Sequence, residues 1–266
     1  PPDYSSAASD VYKRQMNFIG NGKSKSVQNN GKIIIGDKGH GALLGGQISN
    51  AGIVSARLGK IALGAGEKIT LDFVGDGLMS VSVPSEKLGI IKDINGNTLK
   101  SLISNSGLLK ANGGIIKLSA ATAKNLSRSS VNIGSSGLII ARSVNDKTGK
   151  VVIGSPTNEK IKIAGKIDVS GHRSLTPSGT IIVRGRSVTH NGKIFARGGT
   201  GGKVNIISKD TLKLDGSIFA QGTKEKGGSV LFLSEKSISS TPKTVVDVSG
   251  ANKGGRIRSL AKSTNT

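Results

Sequence analysis

The chain has 266 residues, of which 38 are Lys or Arg and 16 Asp or Glu, a formal net charge of +22, with no Cys, no Trp and 3% aromatic residues. Without Cys, zinc fingers, Fe–S clusters, disulfide scaffolds and cysteine nucleophiles are excluded. So few rings argue against a helical-bundle or sandwich core of this size, while 35% apolar residues and a mean hydropathy of −0.11 are too apolar for a wholly disordered chain.

Residues 1–15 (PPDYSSAASDVYKRQ) have no pattern in common with the rest of the chain. The run 5–15 resembles a translated sequencing adaptor, so 1–15 is set aside as a non-native or disordered tail. Its charges cancel, Asp3 and Asp10 against Lys13 and Arg14, so the basic excess belongs to the remainder. Residues 16–30, rich in Asn, Gly and Lys, read as polar loop, and Gly31-Lys-Ile-Ile-Ile-Gly36 as a first strand. Residues 46–83 are short alternating runs, most opened by glycine: Gly52-Ile-Val-Ser-Ala56, Gly59-Lys-Ile-Ala-Leu63 and Lys68-Ile-Thr-Leu-Asp-Phe73. Period-two alternation punctuated by Gly predicts strand after strand with tight corners and no helix. Residues 84–97 break the rhythm, with a turn at Asn95-Gly96, and read as a side excursion. Residues 119–130 and 154–158 read as irregular linkers; 161–258 is the most regular stretch, and 259–266 a polar tail.

Internal repetition governs the reading. A Gly-x-apolar-x-Ala/Ser unit opens at Gly52, Gly107, Gly137, Gly165, Gly192 and Gly216 and, degenerately, at Lys243. The intervals are 55, 30, 28, 27, 24 and 27 residues, and the first reads as two periods. A second unit, Gly-x-apolar-x-apolar, comes after each at Gly59, Gly114, Gly149, Gly179, Gly202, Gly228 and Gly255. A looser third strand lies between pairs, as in Ser130-Val-Asn-Ile133, Arg186-Ser-Val-Thr189 and Thr211-Leu-Lys-Leu214. Three short strands per period of about 23–30 residues describe an all-β fold, a parallel β-helix (β-solenoid), with about eight or nine coils from Gly31 onward. The inward positions of the second unit should stack in a column: Ile61/Leu63, Ile116/Leu118, Val151/Ile153, Ile181/Val183, Val204/Ile206 and Val230/Phe232. A β-sandwich also has many short strands, but its strands do not repeat one signature at fixed period.

The stretch 46–83, and above all Lys68-Ile-Thr-Leu-Asp-Phe-Val-Gly-Asp-Gly-Leu-Met-Ser-Val-Ser-Val83, resembles the filamentous haemagglutinin family, the large exoproteins of bacterial two-partner secretion. The likeness is close over about 35 residues, and the looser glycine units extend it to Arg258. It implies a right-handed helix, secreted or at the cell surface of a Gram-negative-type bacterium. It also implies an outer-membrane transporter as partner. The family's usual amino-terminal Asn-Pro-Asn-Gly motif is absent, so the resemblance implies an internal piece. On this reading residues 31–141 are the haemagglutinin-like part of the helix, with its excursion at 84–97, and 142–258 its regular coils. Lack of Cys suits a chain that threads a pore unfolded.

The charge has two readings, a solvated surface or affinity for a polyanion such as a sulfated glycan. The residue after the corner glycine of the second unit should face outward, and in four of seven coils it is basic: Lys60, Lys150, Lys203 and Arg256. No aromatic residue interleaves with this ladder in the sequence, so stacking on single-stranded nucleic acid is not expected. No catalytic, cofactor or metal site is expected. Gly22-Lys23-Ser24 has Asn17 where a phosphate loop needs Gly. Residues 198–203 (GGTGGK) lack the Asp of a calcium-binding roll, His40, His172 and His190 are scattered, and the acids do not cluster. Asn125-Leu-Ser127 matches the glycosylation acceptor pattern. The functional expectation is a non-enzymatic, rigid adhesin stalk that holds binding regions away from the cell towards a host receptor or glycan. A polyanion-binding module and the stalk of a contact-dependent toxin carrier are the alternatives.

Overall fold

The structure, a computed structural model, describes residues 15–20, 24–72, 78–82, 101–121, 129–154, 159–171 and 176–261. The expected excursion at 84–97, His172, Asp76 and the Asn125 acceptor lie outside these residues. The chain is a right-handed parallel β-helix with three faces, and each strand pairs with its equivalent in the coils before and after.

Face one holds β4 (His40–Gly45), β7 (Lys60–Ala65), β12 (Ile115–Ala120), β15 (Lys150–Gly154), the first half of β18 (Thr180–His190), the first half of β20 (Lys203–Leu214), β22 (Ser229–Ser234) and β25 (Arg256–Ala261). Face two holds β2 (Ser26–Asn29), β5 (Gln47–Asn50), β10 (Ser101–Asn105), β13 (Ser129–Ile133), β16 (Lys160–Ile163), the second halves of β18 and β20, and β23 (Ser237–Ser240). Face three is an eight-stranded sheet of β3 (Lys32–Ile35), β6 (Ile53–Ala56), β11 (Leu108–Lys110), β14 (Leu138–Ile140), β17 (Lys166–Asp168), β19 (Lys193–Phe195), β21 (Ser217–Phe219) and β24 (Val245–Asp247). In the later coils β18 and β20 run through the corner between faces one and two, with a register shift between Gly185 and Ser187. Eight rungs at sheet spacing make a rod of about 34 Å.

The inward side chains form one continuous core, and every position expected from the second unit is at most 4% exposed, from Ile61 and Leu63 to Val230 and Phe232. The corner glycines are there for close approach, not for positive φ. A Cβ on Gly228 would lie 2.2 Å from the carbonyl oxygen of Gly202, and one on Gly192 2.1 Å from that of Gly165. Those carbonyls accept the amides of Ser229 (2.9 Å) and Lys193 (3.0 Å) of the next coil, so the space above each glycine already holds a ladder bond.

Three expectations are corrected. The 55-residue interval is one coil, not two, because Ile53 pairs directly with Leu108. The extra length leaves the helix at Lys68: β8 (Lys68–Asp72) and β9 (Leu78–Ser82) form an antiparallel hairpin. The haemagglutinin-like motif is therefore largely outside the helix. Residues 16–30 are not all loop, for β1 (Gln15–Ile19) adds to β8 and β2 is the first rung of face two. The helix also continues past Arg258, since β25 pairs with β22 through Ala261, inside the expected tail. The hairpin lies against face one, where Ile69, Leu71 and Met79 bury Ala62 with Leu44 and Val81.

The inner column of face two is partly polar. Asn29 donates to the Oδ1 of Asn50 (2.8 Å), Asn50 to that of Asn105 (2.7 Å), and Asn105 to the carbonyl of Gly107 (3.2 Å). Stacking in register lets each amide satisfy its neighbour inside the core. Further along, Ile163, His190 and Leu214 take the same position. His190 is fully buried, with Nε2 3.4 Å from the Ser217 carbonyl, and burial pushes its pKa down to about 4.

This core is open to two measurements. Gly228→Ala should cost about 1–3 kcal/mol in urea unfolding, whereas Gly254→Ala, with nothing within 4 Å of the added carbon, should be near neutral. His190 has a lower pKa folded than unfolded, so protons favour the unfolded chain. Its contribution is complete above pH 6.5 and should be lost by about 3 kcal/mol as the pH falls towards 4. His190→Leu, copying Leu214, should flatten the stability profile across that window; an unchanged profile would show that His190 does not set it.

Candidate functional site: a basic ladder and a glycine-floored groove

The outermost position of face one runs His40, Lys60, Ile115, Lys150, Thr180, Lys203, Ser229, Arg256 in direct register. The four basic residues singled out by the sequence therefore share one column and occupy every second rung, about 9.6 Å apart at sheet spacing. Lys203 and Arg256 are exposed, and Lys60 and Lys150 half-buried.

At the C-terminal end the ladder meets the corner between faces three and one. There the chain leaves Ala196, Ala220 and Val248 in loops that return at Gly202, Gly228 and Gly255, whose amides donate to those three carbonyls at 2.7–2.8 Å. The loops stack through Gly198, Gly222 and Gly250, and Lys226 pairs with Lys253. The result is an open groove of about 510 Å³ with a glycine floor. Its charged lining is Lys203, Lys226, Lys253 and Arg256, with Ser178, Thr180 and Ser229 beside them and no carboxylate. None of the four cations makes an ion pair among the described residues. The GGTGGK stretch is the first of these corner loops; Thr200 hydrogen-bonds Glu225 in the next. Such a groove can hold an extended anion by charge and by hydroxyl and ammonium donors.

Sequence reasoning missed Lys226 and Lys253, although each stands two residues before a second-unit glycine, Gly228 and Gly255; the loop before Gly202 has Thr200 there, so the position does not repeat as basic along the chain. It also missed an outward aromatic stack on face three. The rings of Phe195 and Phe219 stack 5.4 Å apart at 16°, with the Arg197 guanidinium 4.9 and 4.5 Å from their centres and Lys166 Nζ 4.6 Å from Phe195. The stack runs along the rod axis, so the ring faces cover each other or carry cations, and what points to solvent is edge. This favours a bracing role between rungs over a platform for a flat ligand.

The acids are tied to neighbouring rungs as well. Asp168 is buried, which would raise its pKa, but hydrogen bonds from Arg142 (2.8 and 3.1 Å) and Ser170 (3.0 Å) outweigh burial and hold it low. Bonding from Arg186, with Lys236, lowers Asp210, and the Ser249 amide with Gln221 lowers Asp247. Among the described residues no three His, Asp or Glu side chains converge to hold a metal, and no helix is long and apolar enough to cross a membrane.

Among solved structures the fold is similar to the crystal structure of the HMW1 secretion domain from Haemophilus influenzae, with 23% identity, a TM-score of 0.52, and coverage of 92% of this chain and 72% of that one. At that identity the likeness establishes a shared β-helical architecture. No family model matches the sequence, and no curated protein does either.

Phe219→Ala should cost on the order of 1–2 kcal/mol in urea unfolding while leaving retention on a heparin column unchanged. Loss of retention with stability intact would make the rings ligand groups.

Proposed function

We propose that this chain is a non-enzymatic β-helical segment of a secreted or surface-exposed exoprotein, carried across the outer membrane of a Gram-negative-type bacterium by a dedicated transporter. Its role is that of a rigid stalk in adhesion, as in the filamentous haemagglutinins that residues 68–83 resemble. The observation that carries this reading is the shared architecture with a secretion domain over 92% of the chain. Other features agree with it. A chain without Cys can pass a pore with no disulfide to reduce. A helix whose coils touch only their neighbours can fold coil by coil as it emerges. The acids Asp168, Asp210 and Asp247 are engaged in bonds between rungs rather than gathered about a cleft.

In the native bacterium, antibody against residues 15–261 should label intact cells or the medium, and deleting the transporter gene should leave the protein in the periplasm. Labelling that survives that deletion would overturn the export route. Loss of cell attachment on deleting this segment's gene checks the adhesive role, and attachment unchanged would refute it.

A second reading, a polyanion site of the sulfated-glycan kind, is favoured by the groove, where Lys203 and Arg256 of the ladder join Lys226 and Lys253 without a carboxylate. Changing these four to Gln should lower the salt needed to elute the protein from heparin, and by more than changing Lys110, Lys162, Lys193 and Lys213. Equal losses would mean that only net charge is felt.

A further inference from the structure

Face one is treated in two ways along the rod. In the early coils it is a covered surface: the hairpin β8–β9 lies on it, and the outward positions beneath are small, Ala62 and Gly64. A Cβ on Gly64 would fall 2.8 Å from Met79 Sδ, so the face is cut to fit the hairpin. From β15 onward nothing among the described residues lies on it, and large apolar side chains appear at outward positions. Val152, Ile182 and Leu231 stand in one outward column, with Asn205 between the last two, and Ile207, Leu233 and Leu260 in the next. The first five are half-buried and Leu260 is 54% exposed. The strip is bordered and interrupted by Lys150, Arg184, Lys203, Arg256 and Arg258. Its strand segments, 150–154, 180–185, 203–208, 229–234 and 256–261, contain no carboxylate.

We infer that this uncovered part of face one is a docking surface for an acidic, extended partner segment that packs its apolar side on the strip as a β-strand or hairpin and sets its carboxylates against the bordering cations. Two observations point to that occupant. The same face already receives an antiparallel hairpin from this chain, so the proposed surface continues an interface the molecule itself uses. The five cations with no acid between them select a partner of opposite sign and disfavour a second copy of a chain of net charge +22. The apolar side chains lie largely flush in the stacked columns. Such a surface suits the interdigitating side of a strand better than insertion into a bilayer, which needs side chains that stand clear. Four sheet spacings by three outward positions give a patch of a few hundred Å², the size of a functional patch and of a weak, reversible contact. The inference concerns the strip, which shares Lys203 and Arg256 with the rim of the groove, and it does not depend on the export route.

The test uses the full chain and a synthetic hairpin with an Asn-Gly turn and Val/Ile alternating with Glu, monitored by fluorescence anisotropy. The wild type should bind it at micromolar concentration, and the same hairpin with Lys for Glu should not bind. Ile182→Ser with Leu231→Ser should weaken binding about tenfold or more, equivalent to about 1.4 kcal/mol, with heparin retention and circular dichroism unchanged. Arg184→Glu should weaken it as well, while Lys162→Glu with Lys213→Glu on face two should not. Absence of binding to the wild type, equal loss from the face-two changes, or binding to phosphatidylglycerol vesicles in preference to the hairpin would each overturn the inference.

Discussion

The constraint on which the rest depends is the stacking of one glycine on the carbonyl of another at two corners of most coils. Strands in neighbouring coils sit about 4.8 Å apart. At the corners that spacing leaves no volume for a Cβ, as the 2.0–2.5 Å approaches at Gly59, Gly114, Gly179, Gly202, Gly228 and Gly255 record. Given tight corners, each strand must start in register with the one before it. Register then aligns the inward Ile, Val and Leu side chains in columns, and the columns exclude water from a core that is only a few side chains wide. No single contact in such a core is large. Its stability is the sum of nearest-neighbour interfaces, so a misplaced corner is felt in the coils on both sides.

That logic explains what the sequence reveals. Glycine units and alternation are local signals repeated at a period, so the faces, the inward positions and the basic ladder could all be read directly. The four basic residues share one column because the residue after a corner glycine has no freedom of register. What could not be read depends on geometry that a period does not encode. An interval of 55 residues looks like two coils, and only the direct pairing of Ile53 with Leu108 shows it to be one coil with an excursion. The strand Gln15–Ile19 pairs with Lys68–Asp72 at a large separation along the chain, a contact that polar composition hides. Nothing in the sequence marks Asn29, Asn50 and Asn105 as mutual hydrogen-bond partners; stacking makes them so. Phe195 and Phe219 meet because they occupy one outward position of successive rungs.

Stacking also sets the electrostatics. Like charges on adjacent rungs would stand about 4.8 Å apart and repel by about 0.9 kcal/mol in water, and on every second rung by about 0.4 kcal/mol, before screening by salt. The alternation of Lys150, Thr180, Lys203, Ser229 and Arg256 is the cheaper arrangement. Elsewhere acids stand beside cations of neighbouring rungs, Asp168 beside Arg142 and Asp210 between Arg186 and Lys236. Face one of the later coils has no such acids. Its field is left uncompensated along one side of the rod, and there the side chains also become large and apolar.

This concentration on one side has a structural origin. The inward half of every strand is committed to the core and the corners to glycine, so only outward positions are free to differ from rung to rung. Because each coil rests only on its neighbours, an outward change on face one leaves the other two faces undisturbed. The molecule can thus brace face three with stacked rings and carry its own hairpin on early face one. It can also present cations and apolar side chains on late face one. Each surface is set by a different column of the same repeat, and the core that aligns them stays the same throughout.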